Sequence, residues 1–113
     1  MAQLRPNEAT LNQINLDPGG IAVTARGAQS ERGECDFVSR FFTPQCNIFE
    51  DPVTGSSLCS LAPYWAEKLG KKSLRARQVQ VLELSKKIIT VRYVFRKIRS
   101  ENLTLVIINT LSL

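Results

Sequence analysis

The sequence predicts a single α+β domain, and two kinds of pattern carry that prediction. Short segments of alternating or continuous apolar residues, typical of strands, occur on both sides of one long segment with helical spacing. The chain has 113 residues, of which 43% are hydrophobic and 22% are charged. This composition is typical of a globular domain with a modest core, so we expect one sheet packed with one main helix.

The first part of the chain predicts a short helix and two strands. Pro6 and the residues after it favour a short helix with proline in its first turn. The Asp-Pro-Gly-Gly sequence at 17–20 predicts a turn, and Ile21 to Arg26 predicts a strand. A second strand is predicted from Asp36 to Phe42. Its Arg40 lies either at a solvated edge or towards a ligand site, and the pattern favours neither.

The segment from about Ser56 to Leu69 predicts the main helix. Its apolar residues recur at helical spacing: Leu58, Leu61, Ala62, Trp65 and Leu69. Its first three turns carry no charge, so we expect protein around most of the helix and a buried Trp65. Pro63 removes one backbone donor, so the helix either distorts there or begins again near Ser60. We expect one distorted helix.

The last third of the chain predicts further strands. From Leu74 onward three β-type segments follow, at about 79–84, 89–96 and 103–108. No glycine occurs after Gly70, so the turns would have to form at 85–87 and 100–102 from weak turn formers. Such a region can leave a strand edge exposed, which favours aggregation.

The polar chemistry of the chain is concentrated between Glu50 and Ser57. Thr54, Gly55, Ser56 and Ser57 precede the helical pattern, where the first backbone N–H groups have no partner within the helix. A glycine there allows a ligand to approach the main chain closely. The segment is either an ordinary capped helix start or a site for a carboxylate or phosphate, with Asp51 beside it as a proton-carrying or amine-binding group.

Several function classes are disfavoured by composition. The chain has no histidine, which excludes Ser-His and Cys-His nucleophile pairs. Cys35, Cys46 and Cys59 are odd in number and widely spaced, unlike a zinc site or a disulfide framework, and we expect reduced thiols in a cytoplasmic protein. No secretory leader is recognised at the N-terminus, and no apolar run reaches the ~20 residues of a membrane span, so no membrane partner is expected.

The net charge of +5 is unevenly distributed. Residues 1–70 carry five basic and eight acidic residues, a net −3, whereas residues 71–113 carry ten and two, a net +8. Arg92 and Arg96 alternate with Tyr93 and Phe95, which superficially resembles a nucleic-acid-binding surface. However, alternation places the aromatic residues on one face and the arginines on the other, which indicates core against solvent. We therefore expect no nucleic-acid partner.

Three motifs together resemble one known family. They are Asp-Phe-Val-Ser-Arg-Phe-Phe at 36–42, Glu-Asp-Pro-Val-Thr-Gly-Ser at 50–56, and Ala-Pro-Tyr-Trp at 62–65 with Leu-Gly at 69–70. In this order and spacing they resemble the phenazine-biosynthesis-like (PhzF) family. The resemblance runs from about Leu4 to Gln78 and falls on that family's C-terminal domain, with a divergent tail over 79–113. It implies a diaminopimelate-epimerase-like fold, a curled, mostly antiparallel sheet around a central helix.

The resemblance also implies an isomerase that moves a proton without metal or organic cofactor. Asp51 and Ser56 would be its catalytic residues here, with Asp51 bonding the substrate's amine or hydroxyl. Thr54, Gly55, Ser56 and Ser57 would bind the carboxylate of a small metabolite. The family's acid/base glutamate belongs to an N-terminal domain that this sequence lacks, and Glu50 should point away from Asp51. We therefore expect an incomplete, homo-oligomeric isomerase domain; the alternative is a non-catalytic fragment that binds a metabolite or protein.

Overall fold

The computed structural model describes residues 3–14, 19–27, 34–82, 87–98 and 102–106, with side chains described through residue 81. Two helices and six strands lie in these ranges. In chain order they are α1 (Glu8–Asn12), β1 (Ile21–Arg26), β2 (Phe37–Phe42), β3 (Glu50–Asp51), α2 (Leu58–Leu69), β4 (Ser73–Leu82), β5 (Lys87–Ile98) and β6 (Asn102–Val106).

The described strands form one sheet in the order β1-β2-β4-β5-β6, with β3 beside β2. All neighbouring strands are antiparallel except β2 and β4, which pair in parallel through Phe37–Ala76, Val38–Arg77 and Ser39–Gln78. Parallel neighbours need a crossover connection, and α2 lies in the connection between these two strands. The predicted α+β fold with a curled, mostly antiparallel sheet is confirmed.

The core lies between α2 and the face of β2 and β4. Its buried residues are Phe37, Leu58, Leu61, Ala62, Trp65, Leu74 and Ala76. Trp65 is 4% exposed, stacks on Phe37 with ring centroids 5.6 Å apart, and donates a hydrogen bond to Thr24. The predicted burial of Trp65 is confirmed. The opposite side of α2 is exposed at Cys59, Ser60, Pro63 and Tyr64. Within the described chain α2 is therefore covered on one face only, and the expectation of protein around most of the helix is wrong.

The helix α2 is continuous through Pro63, as expected. Pro63 is exposed, so the carbonyl group left without a helical donor one turn earlier faces solvent. The helix begins at Leu58, two residues later than predicted, because residues 55–57 form a turn. It ends at Gly70, whose φ of 63° is the left-handed conformation that glycine adopts without strain.

The remaining boundaries differ slightly from the prediction. The first helix begins at Glu8 after Asn7, whose side chain accepts a hydrogen bond from the Thr10 N–H, so Pro6 precedes the cap instead of starting the helix. The strand predicted from residue 79 is the second half of β4, which begins at Ser73. The predicted turn residues 85 and 86, and most of the turn at 100–102, lie outside the described residues.

The start of β2 is joined to β4 through Asp36. Its backbone N–H donates to the Arg75 carbonyl at 2.7 Å, and its carboxylate accepts from the Arg75 N–H at 2.7 Å. The other carboxylate oxygen is bonded to the Lys71 ammonium group. These contacts join the two parallel strands near the start of each, and we call them the Asp36 cluster.

The three cysteines form no disulfide with one another; Cys35 is buried and the other two are exposed. Among the residues that the structure describes, no helix combines the length and apolarity required to cross a bilayer.

Candidate functional site

The two acidic residues of β3 lie on opposite faces of the sheet. Asp51 is paired with Phe41 and Glu50 with Phe42, and cross-strand partners share a face. Glu50 forms an ion pair with Arg40, whereas the Asp51 carboxylate is bonded within the loop that leads to α2. The expectation that Glu50 points away from Asp51 is confirmed.

The loop after Asp51 is ordered by hydrogen bonds to its carboxylate. Oδ1 accepts from the Val53 N–H at 3.1 Å, and Oδ2 accepts from the Thr54 hydroxyl at 2.7 Å. The Ser57 hydroxyl donates to the Thr54 carbonyl at 2.8 Å. Asp51 is half-buried, and each of its oxygens keeps a lone pair for a further donor. The carboxylate is therefore held in one orientation by its own loop.

A buried glutamine on β4 fastens this loop to the sheet. Gln78 is 0% exposed. Its Oε1 accepts from the Thr54 N–H at 2.9 Å, and its Nε2 donates to the Asp51 carbonyl at 2.7 Å and to Thr54 Oγ1 at 3.2 Å. Sequence reasoning missed Gln78, because a polar residue within a strand is usually interpreted as solvated.

The turn before α2 presents three backbone donors. Within the described ranges, none of the Gly55, Ser56 and Ser57 N–H groups donates a hydrogen bond. The next amides differ, since those of residues 58, 59 and 60 donate to the carbonyls of residues 55, 56 and 57 at 3.2, 3.1 and 3.2 Å. A Cβ atom on Gly55 would meet nothing within 4 Å, so open space adjoins the turn. An anion can reach these donors at the positive end of the helix dipole.

The structure brings all five predicted site residues into this one loop and turn. Ser56 is exposed, and Asp51, Gly55 and Ser57 are half-buried. Thr54 is 7% exposed, and its hydroxyl is bonded to Asp51. The hydroxyls of Thr54 and Ser57 thus stabilise the loop, while the Gly55 and Ser56 amides have no partner in the described chain. The catalytic and substrate-binding roles stay predictions.

Arg40 occupies neither of the positions expected for it. It is 3% exposed, on the face of the sheet opposite α2, and its Nε and Nη2 donate to Glu50 at 2.6 and 2.8 Å. Its Nη1 donates to the Leu4 carbonyl at 2.6 Å, and Gln80 Nε2 donates to the Glu50 carbonyl at 2.9 Å. Arg40 therefore joins the N-terminal segment to the sheet beside a cavity of about 290 Å³.

Metal binding has no support in the described part of the chain, where no three Cys, Asp or Glu side chains are grouped in a way that could hold an ion.

The fold and the loop define the class of protein. The sequence model of the phenazine biosynthesis-like protein family matches residues 1–102. The chain belongs to this family, as the three motifs indicated. The match continues past Gln78, where the sequence resemblance became weak.

Individual proteins similar to this chain carry the same family name or are named isomerases. The chain is 54% identical over 74 residues to an uncharacterized isomerase of Pseudomonas aeruginosa, covering 66% of this chain and 26% of that protein. It is 42% identical over 60 residues to the human phenazine biosynthesis-like domain-containing protein, covering 52% and 21%. The chain thus spans about a quarter of the length of these curated relatives.

A solved structure shares the fold. A phenazine biosynthesis PhzC/PhzF protein from Clostridium difficile superposes with a TM-score of 0.72 at 34% identity, over 98% of this chain and 38% of that one. A PhzF-family protein from Enterococcus faecalis gives a TM-score of 0.62 at 35% identity, over 90% and 34%.

Proposed function

We propose that this chain provides the carboxylate-binding part of an isomerase site for a small carboxylated metabolite. The observation that carries the proposal is the pair of Gly55 and Ser56 amides, which have no partner in the described chain and lie in a turn with open space beside Gly55. Two N–H groups at a helix N-terminus suit a carboxylate, because both donors and the dipole favour negative charge. The Ser56 hydroxyl, which is exposed, adds a third donor.

Asp51 is the proposed acid/base or orienting group of this site. Its carboxylate lies in the same loop as the two amides and is fixed by the Val53 N–H and the Thr54 hydroxyl. It can accept a hydrogen bond from an amine or hydroxyl next to the bound carboxylate, or exchange a proton with the ligand. Gln78 would keep Asp51 and the amides at a fixed separation through its bonds to Thr54.

The proposed site is one half of a catalytic site. Moving a proton between two faces of a carbon needs an acid and a base on opposite sides of it. Glu50, the adjacent carboxylate, is directed to the other face of the sheet and paired with Arg40. The relatives are about four times longer than the matched region. We therefore propose that this chain corresponds to one of two like domains and that it binds ligand without turnover.

A titration with malonate tests the binding half of this proposal. We expect malonate to shift the amide NMR signals of residues 54–57, because its carboxylate bonds the free donors there. Malonamide, a neutral analogue, should shift them far less at the same ionic strength. Gly55→Val should abolish the response by filling the open space beside the turn, without unfolding the chain, since no atom lies within 4 Å of an added Cβ.

The matched control is Ser60→Val, which places the same side chain at an exposed position on the first turn of α2. Ser60→Val should bind malonate like the unaltered chain. Shifts confined to other regions, or an unchanged response in Gly55→Val, would contradict the site. For turnover, we expect no acceleration of deuterium exchange at the malonate methylene carbon; accelerated exchange would show that the chain catalyses alone.

A further inference from the structure

A second concave surface lies at the other end of α2. It is a groove of about 400 Å³ between β1 and the C-terminal half of the helix. At its base Trp65 is 4% exposed, and its indole N–H is already bonded to Thr24 at 2.9 Å. Tyr64 stands at the side, 50% exposed, with its ring edge-on to Trp65 at 5.4 Å between centroids. The groove therefore offers the half-exposed ring of Tyr64 as aromatic surface.

The groove is also cationic. Arg26 and Lys68 line it, and no carboxylate is among its described lining residues. Lys68 Nζ donates to the Tyr64 hydroxyl at 3.0 Å and lies 5.2 and 5.4 Å from the ring centroids of Tyr64 and Trp65, which leaves two of its N–H bonds. The Arg26 side chain is exposed and has neither an ion pair nor a hydrogen bond within the described ranges. An unpaired guanidinium beside an exposed aromatic ring is a recognition element for an aromatic carboxylate.

We propose that this groove binds a small planar aromatic carboxylate. The ligand ring would pack against Tyr64, and its carboxylate would take the free N–H groups of Arg26 and Lys68. The volume lies at the lower end of the range of small-molecule sites, which fits one or two rings. The site is independent of the malonate site, because the 12 residues of α2 extend over about 18 Å between the Gly55 turn and Leu69.

The helix end by itself does not explain an anion site here. The C-terminus of a helix carries partial negative charge and opposes an anion. Binding therefore depends on the two cationic side chains, and charge removal at one of them should have a large effect. This dependence separates the groove from the Gly55 turn, where backbone amides supply the attraction.

Benzoate is the probe that tests the proposal, followed by amide NMR and by the fluorescence of Trp65, the single tryptophan of the chain. We expect benzoate to shift signals at residues 24–26 and 64–69. Benzamide, which lacks the charge, should bind about fivefold more weakly than benzoate. Cyclohexanecarboxylate, which lacks the planar ring, should also bind more weakly than benzoate. Arg26→Gln should weaken benzoate binding by a similar factor. It should leave the fold unchanged, because the Arg26 side chain has no described partner.

Two variants distinguish the groove from the carboxylate site at the turn. Gly55→Val should remove malonate binding and leave the benzoate shifts at 64–69 unchanged. Arg26→Gln should weaken benzoate binding by about fivefold and leave malonate binding unchanged. The groove proposal is overturned if benzoate shifts only residues 54–57, if benzamide binds as tightly as benzoate, or if Arg26→Gln has no effect. If the unaltered chain does not bind malonate, this result would contradict the proposed function but not the groove proposal.

Discussion

At the scale of single residues, the candidate site depends on buried side chains that hold its loop in place. Gln78 is the main example, because one buried amide makes three hydrogen bonds to the loop that holds Asp51 and the Gly55 turn. Thr54 acts in the same way from within the loop, through its hydroxyl bond to Asp51. The exposed donors are positioned by buried partners, so substitutions away from the ligand should alter the site.

Gln78→Leu should lower the free energy of unfolding by about 1–3 kcal/mol, because the buried Thr54 N–H loses its partner. It should also weaken malonate binding, since the loop is no longer fixed to β4. Urea denaturation followed by Trp65 fluorescence measures the first effect. The control is Gln13→Leu, the same change at an exposed residue, for which a cost within about 0.5 kcal/mol is expected. Equal costs for the two variants would contradict the role of Gln78.

Trp65→Ala should lower the free energy of unfolding by about 3–5 kcal/mol, the usual cost of deleting a large buried aromatic side chain. Trp65 stacks on Phe37 and bonds Thr24, so little of its cavity can collapse. Tyr64→Ala, at the adjacent half-exposed position, should cost clearly less. Thermal or urea denaturation gives both values. Emission from the native chain typical of a water-exposed indole would contradict the burial of Trp65.

At the scale of elements, β2 and β4 are the one parallel pair among the described strands, and the Asp36 cluster stabilises this pair near the start of β2. Burial raises the pKa of Asp36. Hydrogen bonds from the Lys71 ammonium group and the Arg75 N–H, together with the charges of both residues, lower this pKa by more than burial raises it. The net result is a pKa below the ordinary value of 3.8. The folded chain therefore stabilises the ionised form of Asp36 relative to its protonated form.

The stability of the chain should therefore fall at acid pH in a way that depends on Asp36. Because the folded pKa is depressed, the contribution is complete above about 3.8 and is lost as pH falls through the lower folded value. Asp36→Asn should lower stability at neutral pH and flatten the pH dependence below 3.8. Denaturation curves from pH 2 to 7, about the range that brackets both states, measure this. Glu67→Gln, at an exposed acidic residue, should keep the steep dependence.

At the scale of the whole molecule, the described chain leaves one side of α2 uncovered. Val53, in the loop before the helix, is 46% exposed, and Cys59 and Pro63 on the helix are also exposed. Exposed apolar surface of this kind favours association. Since the chain matches only about a quarter of its curated relatives, we propose that a second copy covers this side by a two-fold pairing.

Light scattering at roughly tens of micromolar, where uncovered apolar surfaces associate, should detect a dimer or larger species. Val53→Ser should shift the equilibrium towards monomer if the exposed side of α2 and the loop before it form the interface. Deletion of residues 101–113 should do so only if association occurs through the strand edge of the tail. A monomer in the unaltered chain would contradict both routes.

The sequence by itself determined the elements whose signals are local. The bounds of β1, the buried side of α2 and the opposite directions of Glu50 and Asp51 follow from periodicities of two and 3.6 residues, which neighbouring residues set. The family also followed from the sequence, because each of the three motifs is a short continuous segment and their order and spacing resemble the family. The same local patterns placed the five candidate site residues in one loop.

The tertiary structure alone decided which distant residues meet. The parallel pairing of β2 with β4 brings Gln78 to Thr54, 24 residues away, and the pairing of β2 with β3 brings Arg40 to Glu50. A strand pattern shows which residues share a face but not which strand lies beside it. Buried polar residues therefore look solvated in the sequence, and their partners become visible only when the sheet order is known.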